Sequence, residues 1–264
     1  MSTIKEEGNN KLSRLFYILS GIFLANVILA ELTGVKIFSL THFLGIENWQ
    51  LPFSGGKKID LNMSVGILIW PFVFILSDII NEYFGRKGVQ RISILAAIMV
   101  LYCSIIILIS TKLPPAAFWQ QINGTDSLGR PLDINFAYKL IFSSGVSIIA
   151  GSITAFLLSQ FVDVYTFHWI RHITGHKKLW LRATGSTVVS QLIDSYVILF
   201  VAFFIIQRKW TIVQVLEVGT IQYLYKVSFA ILLTPLVYLF HYIIDKFLGD
   251  QKAEEVIETT NENW

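Results

Sequence analysis

Four residues on one apolar stretch carry the first chemical signal. In ILIWPFVFILSDIINEYFGRKG, residues 67 to 88, Asp78, Asn81, Glu82 and Gly85 fall at i, i+3, i+4 and i+7. On a helix that spacing makes one polar stripe. Its chemistry is hydrogen bonding by two acceptor carboxylates and an amide, set in hydrocarbon where an acid at mid-bilayer costs about 2.5 to 3.5 kcal/mol. Such a stripe turns toward protein or a wet cavity rather than toward lipid. A second set, Gln191 and Asp194, repeats the spacing in another apolar run, where Asp194 reads as the deepest acid. Gln160 and Asp163 form a third, expected near a helix end as a solvated cap. A short pattern unites them: SDIINEY from Ser77, SQFVDVY from Ser159 and SQLIDSY from Ser190, at unequal spacings that leave duplication and chance both open.

Other polar residues stand alone in apolar surroundings. Asn26 sits midway along the first run, with Glu31 one turn farther out. Lys226 is expected near the start of the last run, about 9 Å below the outer face, where its stem either snorkels to water or serves a ligand. For Glu82 the competing reading is a helix-end ion pair with Arg86. Trp70 and Pro71 are expected to break the second run near its middle, and Thr234 and Pro235 the sixth, because proline frees a backbone carbonyl. His168, His172 and His176 lie in a basic loop, apart from the acids. No nucleophile and base, metal cluster or phosphate loop shares one depth, so an enzyme is not expected, and neither are a cofactor, a metal site or a nucleic-acid partner.

The elements that must position these residues follow from composition. The 264 residues are 54% hydrophobic and 15% charged, with mean hydropathy +0.60, against about 25% charged in soluble domains. Each crossing of a 30 Å hydrocarbon core needs about 20 apolar helical residues. Six runs supply them, near 14 to 34, 63 to 84, 90 to 111, 138 to 166, 183 to 206 and 220 to 247. The expected fold class is therefore an all-α integral membrane protein, six transmembrane helices in one bundle. A polar tail at 1–12, a transport domain at 13–248 and a polar tail at 249–264 divide the chain, and both tails read as mobile. Twelve Lys and Arg fall on one side and eight on the other, which places both termini in the cytoplasm. The first run, with no small-residue cleavage site after it, reads as a retained helix. Cys103, within the third run, suggests no thiol chemistry.

The run WPFVFILSDIINEYFGRKGVQR resembles a signature of the queuosine precursor transporter family, also called the vitamin uptake transporters. SQLIDSYVILFVAFF, YLYKVSFAILLTPLVY and FLANVILAELTGVKIF are similar to its other motifs, so the likeness spans all six runs. The resemblance implies a multi-pass protein of the bacterial inner (plasma) membrane that imports 7-deazaguanine bases, such as 7-cyano-7-deazaguanine or 7-aminomethyl-7-deazaguanine, for salvage into tRNA queuosine. Asp78, Asn81, Glu82, Gln191, Asp194 and Lys226 match motif positions. A deazaguanine offers a donor edge to a carboxylate, for which Asp194 or Asp78 is the candidate. Asn26, Asn81 and Gln191 would orient it, Trp70 would stack on it, and Lys226 would serve its carbonyl. The alternative is uptake of another vitamin or purine, including as a substrate-binding subunit of an energy-coupling-factor transporter. A homo-oligomer or an energy-coupling partner stays open.

Overall fold

The computed structural model describes residues 2–46, 51–52, 58–59, 62–143, 146–174 and 179–262. Among the described residues, five helical segments are long and apolar enough to cross a membrane: Asn10–Thr33, Trp70–Lys112, Ile148–Thr174, Trp180–Ile206 and Ile212–Leu248. They belong to α1 (Ser2–Thr33), α3 (Trp70–Lys112), α6 (Val146–Thr174), α7 (Leu179–Leu199) with the wider turn Phe200–Ile206 that continues it, and α8 (Ile212–Leu248). The distribution of residue types is that of a protein in lipid. Leu101, Ile105, Leu192, Leu224 and Leu232 are exposed, while Ser77, Asn81, Glu82, Ser159, Asp163 and Ser190 are buried. Without water to satisfy them, polar groups turn inward toward one another.

The 43 residues of α3 do not form one rod. At 1.5 Å per residue they would reach about 64 Å, twice a hydrocarbon core. Gly85, with φ 66° and ψ −175°, breaks the run; a Cβ would clash with the backbone in that conformation, so glycine is needed there. The first half, Trp70–Phe84, starts later than the apolar run suggested. Residues Asn62–Ser64 (β4) instead pair antiparallel with Ile37–Ser39 (β1). A single 3₁₀ turn, Val65–Leu68, follows. Pro71 therefore occupies the first helical turn, where its missing N–H costs nothing, and does not kink a helix at mid-span as expected. Asp78 lies about 12 Å along this half-helix from its start.

Three other boundaries differ from the sequence reading, and each moves a polar residue inward. The fourth apolar run divides between α5 (Ile134–Ser143) and α6, which continues to Thr174. Asp163 thereby sits well inside a helix instead of capping one. Helix α7 begins at Leu179, so Arg182 is helical rather than part of a basic loop. Helix α8 begins at Ile212, capped by the reciprocal Thr211 and Gln214 bonds. That puts Lys226 about 21 Å along its helix, not near its start. The short helices α2 (Leu40–Phe43) and α4 (Ala117–Ile122) and the pair β2–β3 (Leu51–Pro52, Lys58–Ile59) complete the connections.

Helices α6 and α7 form the closest pair, with α1 and α8 packed outside α3 and α7 respectively. Gly151 permits part of this: a Cβ there would stand 2.9 Å from the Ile198 carbonyl oxygen and 3.0 Å from the Ala202 methyl. Residues 250–262, expected as a mobile tail, instead form α9 (Asp250–Glu262). Its Ala253 and Val256 are buried, and the Thr260 hydroxyl donates to the Tyr83 carbonyl at 3.3 Å.

Candidate functional site

The three copies of the serine pattern interlock. The Ser77 hydroxyl donates to Gln160 Oε1 at 2.8 Å, and the Ser190 hydroxyl donates to Asp163 Oδ1 at 2.9 Å. Serines of the first and third copies thus bind the acceptors of the middle copy. All three pattern serines, Ser77, Ser159 and Ser190, are fully buried. The bonds hold α3, α6 and α7 together through polar contacts, the means available where hydrophobic exclusion gives little between helices in lipid. Asp163 and Gln160 are at most 2% exposed, so the expectation of a solvated cap fails. The shift of α6 into that depth is the reason.

Below this layer Glu82 holds two buried guanidinium groups. Arg182 Nη2 stands 2.6 Å from Glu82 Oε1 and Arg171 Nη1 3.3 Å from Oε2. The two arginines that hold Glu82 are ones the sequence placed in a basic loop. Asn81, fully buried, meets His168 Nε2 through its Oδ1 at 2.7 Å, so His168 reaches the polar stripe of α3 from α6. His176 falls outside the described residues. At the same end the Tyr83 hydroxyl donates to Asp245 Oδ1 at 2.5 Å and lies 3.0 Å from His241 Nδ1. Since its one hydrogen goes to Asp245, the tyrosine oxygen accepts from the imidazole.

A second polar group lies on the other side. Lys226 Nζ stands 2.5 Å from Asp194 Oδ2, both side chains 14% exposed. Lys226 is therefore paired across α7 and α8 and does not snorkel. The Ser152 hydroxyl donates to Glu31, and Glu31 is within Coulomb reach of Asp194. Asn26 donates to the Ile22 carbonyl of its own helix at 2.8 Å and stands apart from this group.

Between the two layers α3, α7 and α8 line a cavity that is partly open to the outside. Its walls include Trp70, Phe74 and Phe229, its polar groups Asp78, Gln191, Lys226, Thr184 and Thr234. Four of the sequence candidates, Trp70, Asp78, Gln191 and Lys226, meet here. The other four, Asn26, Asn81, Glu82 and Asp194, do not line it; Asp194 adjoins it through Lys226, while Asn81 and Glu82 support the layer beneath. Trp70 is held by Phe156 and Phe74, at ring-centroid distances of 5.7 and 6.3 Å.

Two atoms on these walls have no hydrogen-bond partner within the protein: Asp78 Oδ1, an acceptor, and Gln191 Nε2, a donor. Both residues are 3% exposed. A buried polar atom left unpaired costs about 1 to 3 kcal/mol, and here two of opposite sense belong to residues that line one cavity. Among the described residues no cluster of three or more His, Cys, Asp or Glu is arranged to hold a metal ion.

The sequence missed Arg171, Arg182, Phe229 and the serine interlock. A signal for the first was present: Gln160, Asp163, Phe167 and Arg171 fall at i, i+3, i+7 and i+11, one face of a helix. Basic character hid it, because arginines beside a turn read as topogenic charges.

A "Probable queuosine precursor transporter" of Bacillus subtilis (strain 168) is 29% identical over 56% of this chain, and the match spans 59% of the relative's length. A "Queuosine precursor transporter" of Escherichia coli (strain K12) is 25% identical over 73% of this chain and 79% of its own. A further "Probable queuosine precursor transporter" of Haemophilus influenzae is 24% identical over 70% of this chain and 74% of its own. No solved structure matches. The family described as "Putative vitamin uptake transporter" matches residues 64–240, which hold α3, α6, α7 and every polar residue of the cavity. This multi-pass membrane chain belongs to the vitamin uptake transporter family.

Proposed function

We propose that this protein imports 7-deazaguanine bases, among them 7-cyano-7-deazaguanine and 7-aminomethyl-7-deazaguanine, across the bacterial inner membrane for salvage into tRNA queuosine. The observation that carries the reading is the pair of unsatisfied cavity atoms, Asp78 Oδ1 and Gln191 Nε2. A deazaguanine presents a ring N–H and an exocyclic amine on one edge, which suit two carboxylate oxygens. Its adjacent carbonyl suits an amide or ammonium donor, here Gln191 or Lys226. The flat ring system suits the face of Trp70. Asp194 serves by holding Lys226 at the cavity wall, and Glu82 by holding the two arginines below.

In this reading the chain crosses the membrane six times, because the two halves of α3 on either side of Gly85 become separate spans. The turn they share carries Arg86, Lys87 and Arg91, which favours the cytoplasmic side. Burial of Arg171 and Arg182 removes them from the topogenic count, leaving ten basic residues against eight. The bias keeps its sign, with both termini cytoplasmic.

The test is uptake in a bacterial strain unable to make deazaguanines and lacking its own importer. Expression of this chain with external 7-cyano-7-deazaguanine is expected to restore queuosine in tRNA. Failure to restore it at normal membrane abundance, with accumulation of a different purine or a vitamin, would reassign the substrate.

A further inference from the structure

A groove lies away from the cavity, between α1 and the second half of α3. Phe16 and Tyr17 of α1 line it together with Phe84, Lys87, Gly88 and Arg91 of α3. Phe16 packs on Phe84 at a ring-centroid distance of 4.9 Å. Gly88 adds no side chain to the space: a Cβ there would stand 2.8 Å from Phe84 Cβ and 3.8 Å from Phe16 Cε2. Lys87 and Arg91, at i and i+4, share one helix face, and both are exposed. No carboxylate lines the groove, and among the described residues neither cation has an ion pair or a hydrogen-bond partner. The other basic groups within the helices are matched, Arg171 and Arg182 by Glu82 and Lys226 by Asp194.

The groove sits where its two helices enter the apolar spans. The span of α1 begins at Asn10, which puts Tyr17 about 10 Å along it. Lys87 is two residues past the break at Gly85. Aromatic rings and basic side chains at that depth suit the boundary between headgroups and hydrocarbon. Beyond Arg91 the same face of α3 continues as Leu95, Ile98 and Tyr102, all exposed. On the α1 side, one turn past Tyr17, a Cβ on Gly21 would meet nothing within 4 Å. Two unmatched cations thus stand at the head of an open apolar track.

We propose that this groove holds one phospholipid of net negative charge, its phosphate between Lys87 and Arg91 and an acyl chain along Leu95, Ile98 and Tyr102. Charge complementarity selects the headgroup. A zwitterionic lipid brings its own ammonium, which competes with the two side chains for the phosphate, whereas an anionic lipid leaves the phosphate to them. The apolar track selects a lipid over a free phosphate, because only a lipid has a chain to cover it. Nothing in this assignment depends on what the cavity carries.

The test is native mass spectrometry of the purified full chain, titrated with phosphatidylglycerol and with phosphatidylcholine of the same acyl chains. Each cation near an anionic lipid is worth about fivefold in binding, so the pair gives phosphatidylglycerol an expected preference of roughly thirtyfold for the first lipid bound. Lys87→Gln combined with Arg91→Gln is expected to bring the two lipids to near parity, while Lys246→Gln combined with Lys252→Gln keeps the preference. No preference in the wild type, or an equal loss in both double variants, would overturn the site. Displacement of the lipid by glycerol 3-phosphate or inorganic phosphate would make it a free-phosphate site and overturn the lipid. A second measurement needs no variant: amine labelling of the wild type, read at Lys87 and at Lys246. Phosphatidylglycerol is expected to protect Lys87 and not Lys246, and phosphatidylcholine to protect neither. Equal labelling of Lys87 in the two lipids would overturn the proposal even if the Lys87 and Arg91 double variant did not fold.

Discussion

At the scale of single residues, roles that one helix face seemed to share divide between ligand and scaffold. Asp78 and Glu82 are one turn apart, yet Asp78 lines the cavity with its Oδ1 unpartnered while Glu82 is spent on Arg171 and Arg182. The two acids should therefore fail differently. Asp78→Asn replaces one carboxylate oxygen by a donor that opposes the ligand's own donors. It is expected to weaken base binding by about 3 kcal/mol, roughly a hundredfold in Kd, with normal protein yield. Glu82→Gln leaves two guanidiniums buried against a neutral amide and is expected to cost about 3 to 5 kcal/mol of stability. Thermal unfolding in detergent checks it, and an unchanged midpoint would show that the arginines find another counter-charge.

At the scale of elements, the site was legible where helix periodicity alone decides the face and illegible where helix ends do. Asp78, Gln191 and Trp70, which line the cavity, could be singled out because an acid, an amide and an indole within apolar runs have few other uses. Asp163 and Arg182 were misassigned because hydropathy places a span at its greasiest window, whereas α6 ends eight residues beyond the predicted run and α7 starts four before it. Asp194 was expected to meet a ligand; its neighbour Lys226, one element away at 2.5 Å, is a contact that no local pattern encodes. The break in α3 depends on a single residue, with a conformation open essentially to glycine. Gly85→Ala is expected to destabilise the protein by about 1 to 3 kcal/mol, lowering the thermal midpoint without altering base affinity in the fraction that stays folded. Retention of the wild-type midpoint would mean that the two halves of α3 do not need this turn.

At the scale of the whole molecule, a half-open cavity lies between two polar layers, one built on Glu82 with its arginines and the other on Asp194 with Lys226. In the proposed topology, six crossings with cytoplasmic ends would put the first layer on the inner side and the second on the outer. Cysteine labelling checks this: with Cys103 replaced by Ser, single cysteines at Lys252 and at Arg130 are expected to react with an impermeant maleimide only in inverted vesicles and only in intact cells, respectively. The reverse pattern would invert the account of which layer faces which compartment. The central claim, that the cavity binds a flat heterocycle through Asp78, is tested most directly by calorimetric titration of 7-cyano-7-deazaguanine into the purified full chain. The account predicts saturable one-to-one binding by the wild type and its loss in Asp78→Asn at an unchanged thermal midpoint. Equal affinity in the two proteins would contradict it.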